Sequence, residues 1–510
     1  MLRNVLTVGG WTMASRILGF ARDVLIASRL GAGPVADAFF VALKLPNLFR
    51  RLFGEGAFNA AFIPAFAGTL AAEGRLAALA LANHLAALMT LWLSLIVVVG
   101  WILMPQLIFV LAPGFADEPL RYGLTVEMTR ITFPYLLFIC LAALVSGVLN
   151  GLNRFGAAAA APVLFNLMSM ATLIGLTPFV ATPGHALAWG VMLSGIVQLG
   201  LVWWAARDAG MAIGLVGIPR LTPAVRAVLR RMGPGIFGAG VTQLNLAIDV
   251  IIASTLPAGA VSFLYYADRV AQLPLGVIGA AMGTALLPLL ARQLRMGQPL
   301  AAHRSQNRAL ELSLLLTLPS AVALALLAEP IIMALFQRGA FSADAASATS
   351  AALVAYAFGM PFFVLVKVFA PGFFARGDTS APVKIGLVAV ALNLALNLSL
   401  SPFLAHVGIA LSTAIAAAVN AGLLAVVLMR RRQLVFDARL RHRVPRMLAA
   451  VAVMGLVLAA GRALLWPAEP GLRLAVLALL CLAGGVAYIL SVSVFGALRL
   501  SELRAMLRRR

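Results

Sequence analysis

Long apolar stretches without charge dominate this chain and predict membrane-spanning helices. Residues 155–206 contain no Asp, Glu, Lys or Arg, and residues 385–429 form a second run of the same kind. Each run holds two spans of about 20 residues, with turns predicted at residues 182–185 and near Pro402 and His406. Shorter apolar runs and three long segments that carry charge complete the pattern. It predicts an all-α polytopic membrane protein with fourteen transmembrane helices.

Composition supports a chain whose main solvent is lipid. Of 510 residues, 62% are hydrophobic and 11% are charged, against roughly a quarter charged in soluble domains. These values exclude a cytosolic enzyme, a secreted domain and a disordered tail. The net charge of +22 comes almost entirely from arginine. The arginines collect in alternate loops, so we assign them to the positive-inside rule and not to nucleic-acid binding. Both termini are therefore predicted to be cytoplasmic.

The chain repeats itself at a spacing of about 226 residues. Residues 24–35 and 250–261 are identical at eight of twelve positions, and Asp23 corresponds to Asp249. Each half is predicted to hold six helices, and an even number of spans returns the chain to the same side. The halves are therefore parallel repeats, which suit alternating access with a substrate site between them. The predicted domains are residues 1–215 (N-lobe, helices 1–6), 216–432 (C-lobe, helices 7–12) and 433–510 (helices 13–14 and a basic tail).

Charges inside the predicted helices distinguish the two halves. Arg22 in the first helix aligns with Ile248 in the seventh. A charge at mid-bilayer costs about 2.5–3.5 kcal/mol, so such side chains face water, counter-ions or ligand. Mutual neutralisation is one alternative, since Arg16 and Asp23 lie two turns apart on one helix face. Cations nevertheless exceed acids in helices 1, 2 and 8: Arg16, Arg22, Lys44, Arg50, Arg51 and Arg269 stand against Asp23, Asp37, Glu55 and Asp268. Because guanidinium groups bind phosphate oxygens bidentately, this surplus predicts a cavity for a diphosphate or another polyanionic head group.

Motifs for catalysis and for nucleotide binding do not occur in a usable context. None of the three lysines follows a glycine-rich phosphate loop, which argues against ATP hydrolysis by this chain. The five histidines are scattered and lack metal-ligand spacing. We therefore predict a protein that is not an enzyme and binds no metal.

Several segments resemble one known family. They are Ser15-Arg-Ile-Leu-Gly-Phe-Ala-Arg-Asp23, the stretch from Gly31 to Arg51, Gly54-Glu-Gly-Ala-Phe58, and Tyr265-Tyr-Ala-Asp-Arg269 followed by Leu273-Pro274. These segments closely resemble the MurJ (MviN) family, the bacterial lipid II flippases of the multidrug/oligosaccharidyl-lipid/polysaccharide exporter superfamily. The motifs are specific in helices 1, 2 and 8 and vague after about residue 380.

The resemblance implies two six-helix lobes and a C-terminal helix pair in the bacterial inner membrane. It implies transport of lipid II from the cytoplasmic to the periplasmic leaflet for peptidoglycan synthesis, cell wall biogenesis and cell shape. The energy source would be an ion gradient or the membrane potential, with no cofactor. We expect a monomer whose partners are lipid II, membrane lipids and cell-wall synthesis proteins. By position, the substrate-binding residues would be Arg16, Arg22, Arg50 and Arg269, supported by Asp37 and Asn47, and the gating or packing residues Ala27 and Ser262, to which the small-residue turns add Gly33 and Gly259.

Alternatives stay open on the sequence alone. An ion-coupled exporter of drugs, or of another anionic lipid-linked saccharide, would share the fold. An exporter of cationic drugs would call for acidic cavity residues, whereas the surplus here is basic. A membrane enzyme acting on a polyprenyl diphosphate would need an acid/base or metal constellation. The last two helices lie outside the repeat. Gly484-Gly485 would leave an apolar groove there for the polyprenyl tail, and a purely structural pair is the alternative.

Overall fold

A computed structural model of the protein describes residues 2–53, 57–215, 217–467 and 469–497, and every regular element in these ranges is helical. Glu55 and the predicted basic tail at Arg508–Arg510 lie outside the described residues. The helices are α1 (Leu2–Leu30), α2 (Pro34–Phe53), α3 (Ala57–Ile102), α4 (Met104–Leu111), α5 (Pro119–Thr132), α6 (Tyr135–Gly151), α7 (Gly156–Gly175), α8 (Pro183–Asp208), α9 (Pro223–Ser254), α10 (Ala260–Arg295), α11 (Pro299–Leu326), α12 (Ala328–Phe336), α13 (Ala343–Phe374), α14 (Ser380–Arg430), α15 (Ala438–Leu465) and α16 (Arg473–Val494).

The predicted fold class is confirmed. Within the described ranges, nine segments are long and apolar enough to cross a membrane, and the longest runs from Ser380 to Arg430. Helices α1, α2, α9 and α10 are also 20 residues or longer, but they carry more charge. The chain is an all-α polytopic membrane protein, and the total of fourteen spans stays a prediction.

The two long charge-free runs break near the predicted turns. Between α7 and α8, the Thr182 hydroxyl accepts a hydrogen bond from the backbone N–H of His185 and caps α8. In α14 the break falls at Ala405, whose φ of 47° interrupts the helix between Pro402 and His406. Local turn chemistry therefore fixed these two boundaries.

Two predicted spans end differently from the expectation. The apolar run at residues 85–111 leaves α3 at Ile102 and continues as the short helix α4, and the run at residues 310–336 divides into α11 and α12. Each short helix has a proline in its first turn, Pro105 in α4 and Pro330 in α12. Proline is favoured in the first turn because the N–H it lacks would be unpaired there. The sequence repeat thus extends to this paired feature.

The contacts divide the chain into two compact units. One contains residues 1–262 and 338–341, and the other contains residues 263–337 and 342–510. Helix α9 and the start of α10 therefore group with the first unit. The lobe boundaries at residues 215 and 432 rest on the sequence repeat and stay a prediction.

The core of the first unit packs aromatic side chains of α3 against glycines of α6. Phe62 and Phe66 are fully buried, and their rings lie 5.6 Å apart. A Cβ at Gly147 would lie 2.9 Å from Phe62, and one at Gly151 would lie 2.7 Å from Phe66. Small residues four apart allow helices in a membrane to approach closely. This spacing explains how two bulky side chains fit between α3 and α6.

In the second unit, a buried carboxylate fastens α15 to α11. Glu311 accepts hydrogen bonds from Arg439, whose Nε and Nη2 lie 3.2 Å from its two oxygens, and also from Arg308 and Arg443. Asp437 accepts from the Leu440 N–H at 2.7 Å and caps α15. Three cations around one buried acid satisfy its lone pairs, which a buried charge requires.

The connection between α13 and α14 is held by another acid outside the spans. The Asp378 carboxylate accepts the Ala381 N–H at 3.0 Å and the Arg431 Nη1 at 2.6 Å. The backbone hydrogen bond and the arginine favour the ionised form, so the pKa of Asp378 lies below its ordinary value. The loop therefore keeps its negative charge beside the arginines that follow α14.

Candidate functional site

A buried carboxylate at the start of α2 connects three helices of the first unit. Asp37 is fully buried. It accepts hydrogen bonds from the backbone N–H of Gly259 at 2.7 Å and from that of Ser262 at 2.8 Å. The Ser262 hydroxyl donates to the same carboxylate. The first N–H groups of a helix have no partner inside it, and a negative charge is favoured there. Asp37 therefore caps α10 from a different helix.

Arg121 is the counter-charge of Asp37. Its Nη2 lies 2.8 Å from the Asp37 Oδ2, and the Arg121 side chain is 1% exposed. Its Nη1 also donates to the Glu118 carboxylate at 3.1 Å and to the Leu256 carbonyl at 3.3 Å. The guanidinium lies over the Phe115 ring at 4.0 Å. We expected Arg121 to be an outer-loop cation. The structure corrects this, because the side chain is enclosed within α5 and its neighbours.

Backbone segments come very close around this cluster. A Cβ at Gly114 would lie 2.4 Å from the Thr255 Cα, and the Gly114 N–H donates to the Ser254 hydroxyl at 3.2 Å. In the turn after α1, Gly31 has a φ of 65° and a Cβ there would lie 2.3 Å from the Ala340 carbonyl oxygen. Only glycine fits at either position. This end of the first unit is therefore closely packed around the turns at residues 31–33 and 257–259.

The predicted packing residues occupy different environments. Ala27 and Ser262 are fully buried and Gly259 is buried with a φ of 100°. At Gly33, by contrast, a Cβ would meet open space, and the close contact of that turn is made by Gly31. The gating roles of these residues stay a prediction.

Arg22 lies in a polar cluster between α1 and α7. Its Nη2 donates to the Asp23 carboxylate at 2.6 Å, and its Nη1 donates to the Asn166 side-chain oxygen at 3.1 Å. Asn166 in turn donates to the Ser15 carbonyl at 2.9 Å. The guanidinium also lies 5.2 Å from the centre of the Phe165 ring. Arg22 therefore pairs with its sequence neighbour, whereas the helical periodicity had suggested Arg16 as the partner of Asp23.

The other predicted cations lie in separate environments. Arg50 is half-buried and its Nε donates to the Asn47 side-chain oxygen at 3.2 Å, while Asn47 donates to the Leu43 carbonyl at 2.9 Å. Arg16 is exposed on α1. Arg269 belongs to the second unit and lies 4.8 Å from the centre of the Tyr265 ring. The structure thus brings Asp37 together with Ser262 and Gly259, and Asn47 together with Arg50.

Two polar residues of these clusters were missed by the sequence analysis. Asn166 sits in a charge-free run and gave no separate signal. Arg121 did leave one, because Arg121, Thr125 and Thr129 are spaced four residues apart and all three are buried. Such spacing places residues on one helix face. This polar stripe predicts a buried face that the loop interpretation overlooked.

An apolar groove of about 470 Å³ lies in the second unit among α11, α15 and α16. Gly484 and Gly485 line it from α16, and Leu315 and Pro319 line it from α11. A Cβ at Gly484 would lie 2.6 Å from Leu458, whereas one at Gly485 would meet open space. Gly484 therefore allows α16 to approach α15, and Gly485 leaves the groove open. Among the described residues, no cluster of His, Cys, Asp and Glu has the geometry of a metal site.

The fold is that of a transporter class. A solved structure of lipid II flippase MurJ in an inward closed conformation superposes with a TM-score of 0.77 over 96% of this chain and 98% of that one, at 23% identity. An inward-facing multidrug resistance MATE family transporter of the MOP superfamily gives 0.70 over 84% of this chain and 98% of that one, at 16% identity. The chain therefore has the polytopic helical fold that these transporters share.

Sequence comparison then identifies the family. The family model for lipid II flippase MurJ matches residues 26–479. A probable lipid II flippase MurJ from Rhizobium tropici is 46% identical over 89% of this chain and 86% of its own length. The lipid II flippase MurJ from Burkholderia cenocepacia is 37% identical over 84% of each. The chain belongs to the lipid II flippase MurJ family.

Proposed function

We propose that this chain moves lipid II from the cytoplasmic to the periplasmic leaflet of the bacterial inner membrane by alternating access, without chemical change to the lipid. The observation that carries this proposal is the family match along residues 26–479. The basic residues within α1, α2 and α10 support an anionic cargo over a cationic drug. We further propose a monomer with both termini in the cytoplasm, driven by the membrane potential or an ion gradient without a cofactor.

The direct test reconstitutes the purified protein in vesicles that contain lipid II. We expect lipid II to appear in the opposite leaflet at a rate that depends on membrane potential, and its mass to stay unchanged. Release of a cleaved product would instead show an enzyme. Equal transport of a cationic drug would show the alternative exporter.

The groove beside α16 is proposed to hold the polyprenyl tail. Its lining is apolar, and it lies within helices that span the membrane. Each methylene of a buried tail contributes about 0.8 kcal/mol. The two adjacent glycines separate the consequences of substitution, because Gly484 packs against Leu458 and Gly485 faces open space.

Replacing Gly485 with leucine is expected to weaken transport of long-chain lipid II by about tenfold or more, since the new side chain would displace several methylenes from the groove. A short-chain analogue should be transported at the rate of the unchanged protein. The measurement is transport of both analogues by vesicles containing each variant. Gly422→Leu is the matched control, because Gly422 is an exposed α14 glycine with open space around it. Equal loss for both analogues would exclude the groove as the tail site.

The turns at residues 31–33 and 257–259 are proposed to separate during transport. In the structure, Asp37 binds the N–H of Gly259, so the two turns belong to one packed cluster. Cysteines at Ala32 and Ala258 are expected to cross-link in one state of the cycle and to block transport until the bond is reduced. The checks are gel mobility and lipid II transport before and after reduction. Full transport by the cross-linked protein would show that these turns do not separate.

A further inference from the structure

A second pocket of about 410 Å³ lies in the first unit among α3, α5 and α8, apart from the clusters around Asp37 and Arg22. At one end it holds Glu127, Arg130 and His185. The rest of its wall is apolar or aromatic and consists of Trp101, Ile131, Pro134, Trp189 and Met192. The pocket is therefore amphipathic, with one acid and one base at its polar end.

The depth of this pocket follows from the helix ends. Trp101 is the penultimate residue of α3, and His185 is in the first turn of α8. Both lie at the end of an apolar span, where tryptophan is enriched at the interface between membrane and water. Met192 follows His185 by seven residues on α8 and is therefore about 10 Å farther into the hydrocarbon. The polar end thus lies at head-group level and the apolar wall at acyl-chain level.

Arg130 presents an open cation at the polar end. Its Nε donates to the Trp101 carbonyl at 3.2 Å, and its guanidinium stacks 4.8 Å from the centre of the Trp101 ring. Within the described part of the chain, its two terminal nitrogens have no hydrogen-bond acceptor and its guanidinium has no acidic partner within 4.0 Å. The ring therefore fixes the guanidinium while two donors remain available to a phosphate.

Glu127 lies one turn from Arg130 on the same helix. Its Oε2 is 3.2 Å from the Nε2 of His185, whose Nδ1 lies 2.9 Å from the Thr182 hydroxyl. The carboxylate side chain is 63% exposed. The histidine therefore orients a carboxylate whose other oxygen faces outward. An acid and a base about 5 Å apart along a helix match a head group that carries both a phosphate and a primary ammonium.

We propose that this pocket binds a phospholipid with a phosphoethanolamine head group. The phosphate oxygens accept hydrogen bonds from Arg130, and the ammonium donates to Glu127. One acyl chain lies along Ile131, Pro134 and Met192. A head group with only negative charge would place its phosphate near Glu127 with no ammonium to balance that acid, and a choline head group has no N–H to donate. The pocket therefore selects phosphatidylethanolamine from the bilayer, independently of the transported lipid.

The test measures lipid retained by the purified protein in nanodiscs, using phosphatidylethanolamine, phosphatidylcholine and phosphatidylglycerol with identical acyl chains. Native mass spectrometry counts the bound lipids. We expect phosphatidylethanolamine to be retained about tenfold more strongly than phosphatidylcholine. A charge-assisted hydrogen bond contributes about 1.5–3 kcal/mol, and about 1.4 kcal/mol corresponds to tenfold. Soluble glycerophosphoethanolamine should not displace the lipid, because it lacks acyl chains.

Two variants separate the roles of the charges. Arg130→Gln should lower retention of phosphatidylethanolamine by about tenfold or more. Glu127→Gln should erase the preference over phosphatidylcholine and leave phosphate-dependent binding in place. Arg207→Gln is the matched control, since Arg207 lies over Trp203 at 5.9 Å on the same helix as His185 but far from this pocket. Unchanged retention in Arg130→Gln, or equal retention of all three lipids by the unchanged protein, would overturn the proposal.

Discussion

Replacing both Arg22 and Arg269 with alanine is expected to abolish lipid II transport while the protein still inserts into the membrane. These two cations are proposed to bind the diphosphate from the two halves of the chain. Each charge-assisted contact to phosphate contributes about 1.5–3 kcal/mol. Losing two such contacts should lower transport by at least about a hundredfold.

The structure refines the expectation for Arg22. Its guanidinium is paired with Asp23 and Asn166 in this state. Binding of a diphosphate would therefore exchange the Asp23 carboxylate for phosphate oxygens. Lysine at position 22 keeps the charge but lacks the planar fork, so we expect Arg22→Lys to restore only part of the activity.

The measurement is leaflet-resolved transport of lipid II in vesicles with equal amounts of inserted protein. Arg29→Ala serves as the control, because Arg29 lies on the same helix and is exposed. It should transport at the unchanged rate. Normal transport by the Arg22→Ala, Arg269→Ala protein would show that the diphosphate binds elsewhere.

The second large effect concerns the buried pair of Asp37 and Arg121. We expect Asp37→Ala to lower the free energy of unfolding by about 3–5 kcal/mol, because it leaves the Arg121 guanidinium buried without its main counter-charge. The N–H groups of Gly259 and Ser262 would also lose their acceptor, at a cost of about 1 kcal/mol each. The midpoint of thermal unfolding of the detergent-solubilised protein should fall accordingly.

A double-mutant cycle isolates the contribution of the pair. Adding Arg121→Met to Asp37→Ala removes the uncompensated cation and fills a similar volume, so much of the lost stability should return. Asp208→Ala is the control, since Arg154 and Asp208 form an exposed pair with 55% and 69% of their side chains accessible. Such pairs contribute about 0–1 kcal/mol. A similar small effect for Asp37→Ala and Asp208→Ala would contradict the assignment of Asp37 as a buried structural cap.

The comparison of prediction with structure shows where periodicity is sufficient. The charge-free run at residues 155–206 could be divided at residues 182–185 because Thr182 is a capping residue followed by proline. The run at residues 310–336 was expected to be one span. Apolar content did not reveal the break at Leu327, where α11 ends and α12 begins. Local sequence therefore fixed the helices better than their breaks.

For the polar residues, sequence alone located the charges but not their partners. Arg22 and Asp37 stood out because charge within an apolar helix is costly. Their partners Asn166 and Arg121 are separated from them by 144 and 84 residues. No local pattern specifies contacts between such distant segments.

What the sequence by itself determined is the solvent, the helical class, the internal repeat and the family motifs, since each follows from residue type and spacing along the chain. The tertiary structure alone decided that Arg121 is buried against Asp37, that Gly31 and not Gly33 makes the close turn contact, and that Arg130 and Glu127 share a pocket with Trp101 and His185. These outcomes depend on which helix faces meet. Helix faces meet according to packing over the whole unit, because an apolar helix surface can be buried equally well against several neighbours, and only the assembled set of contacts selects one.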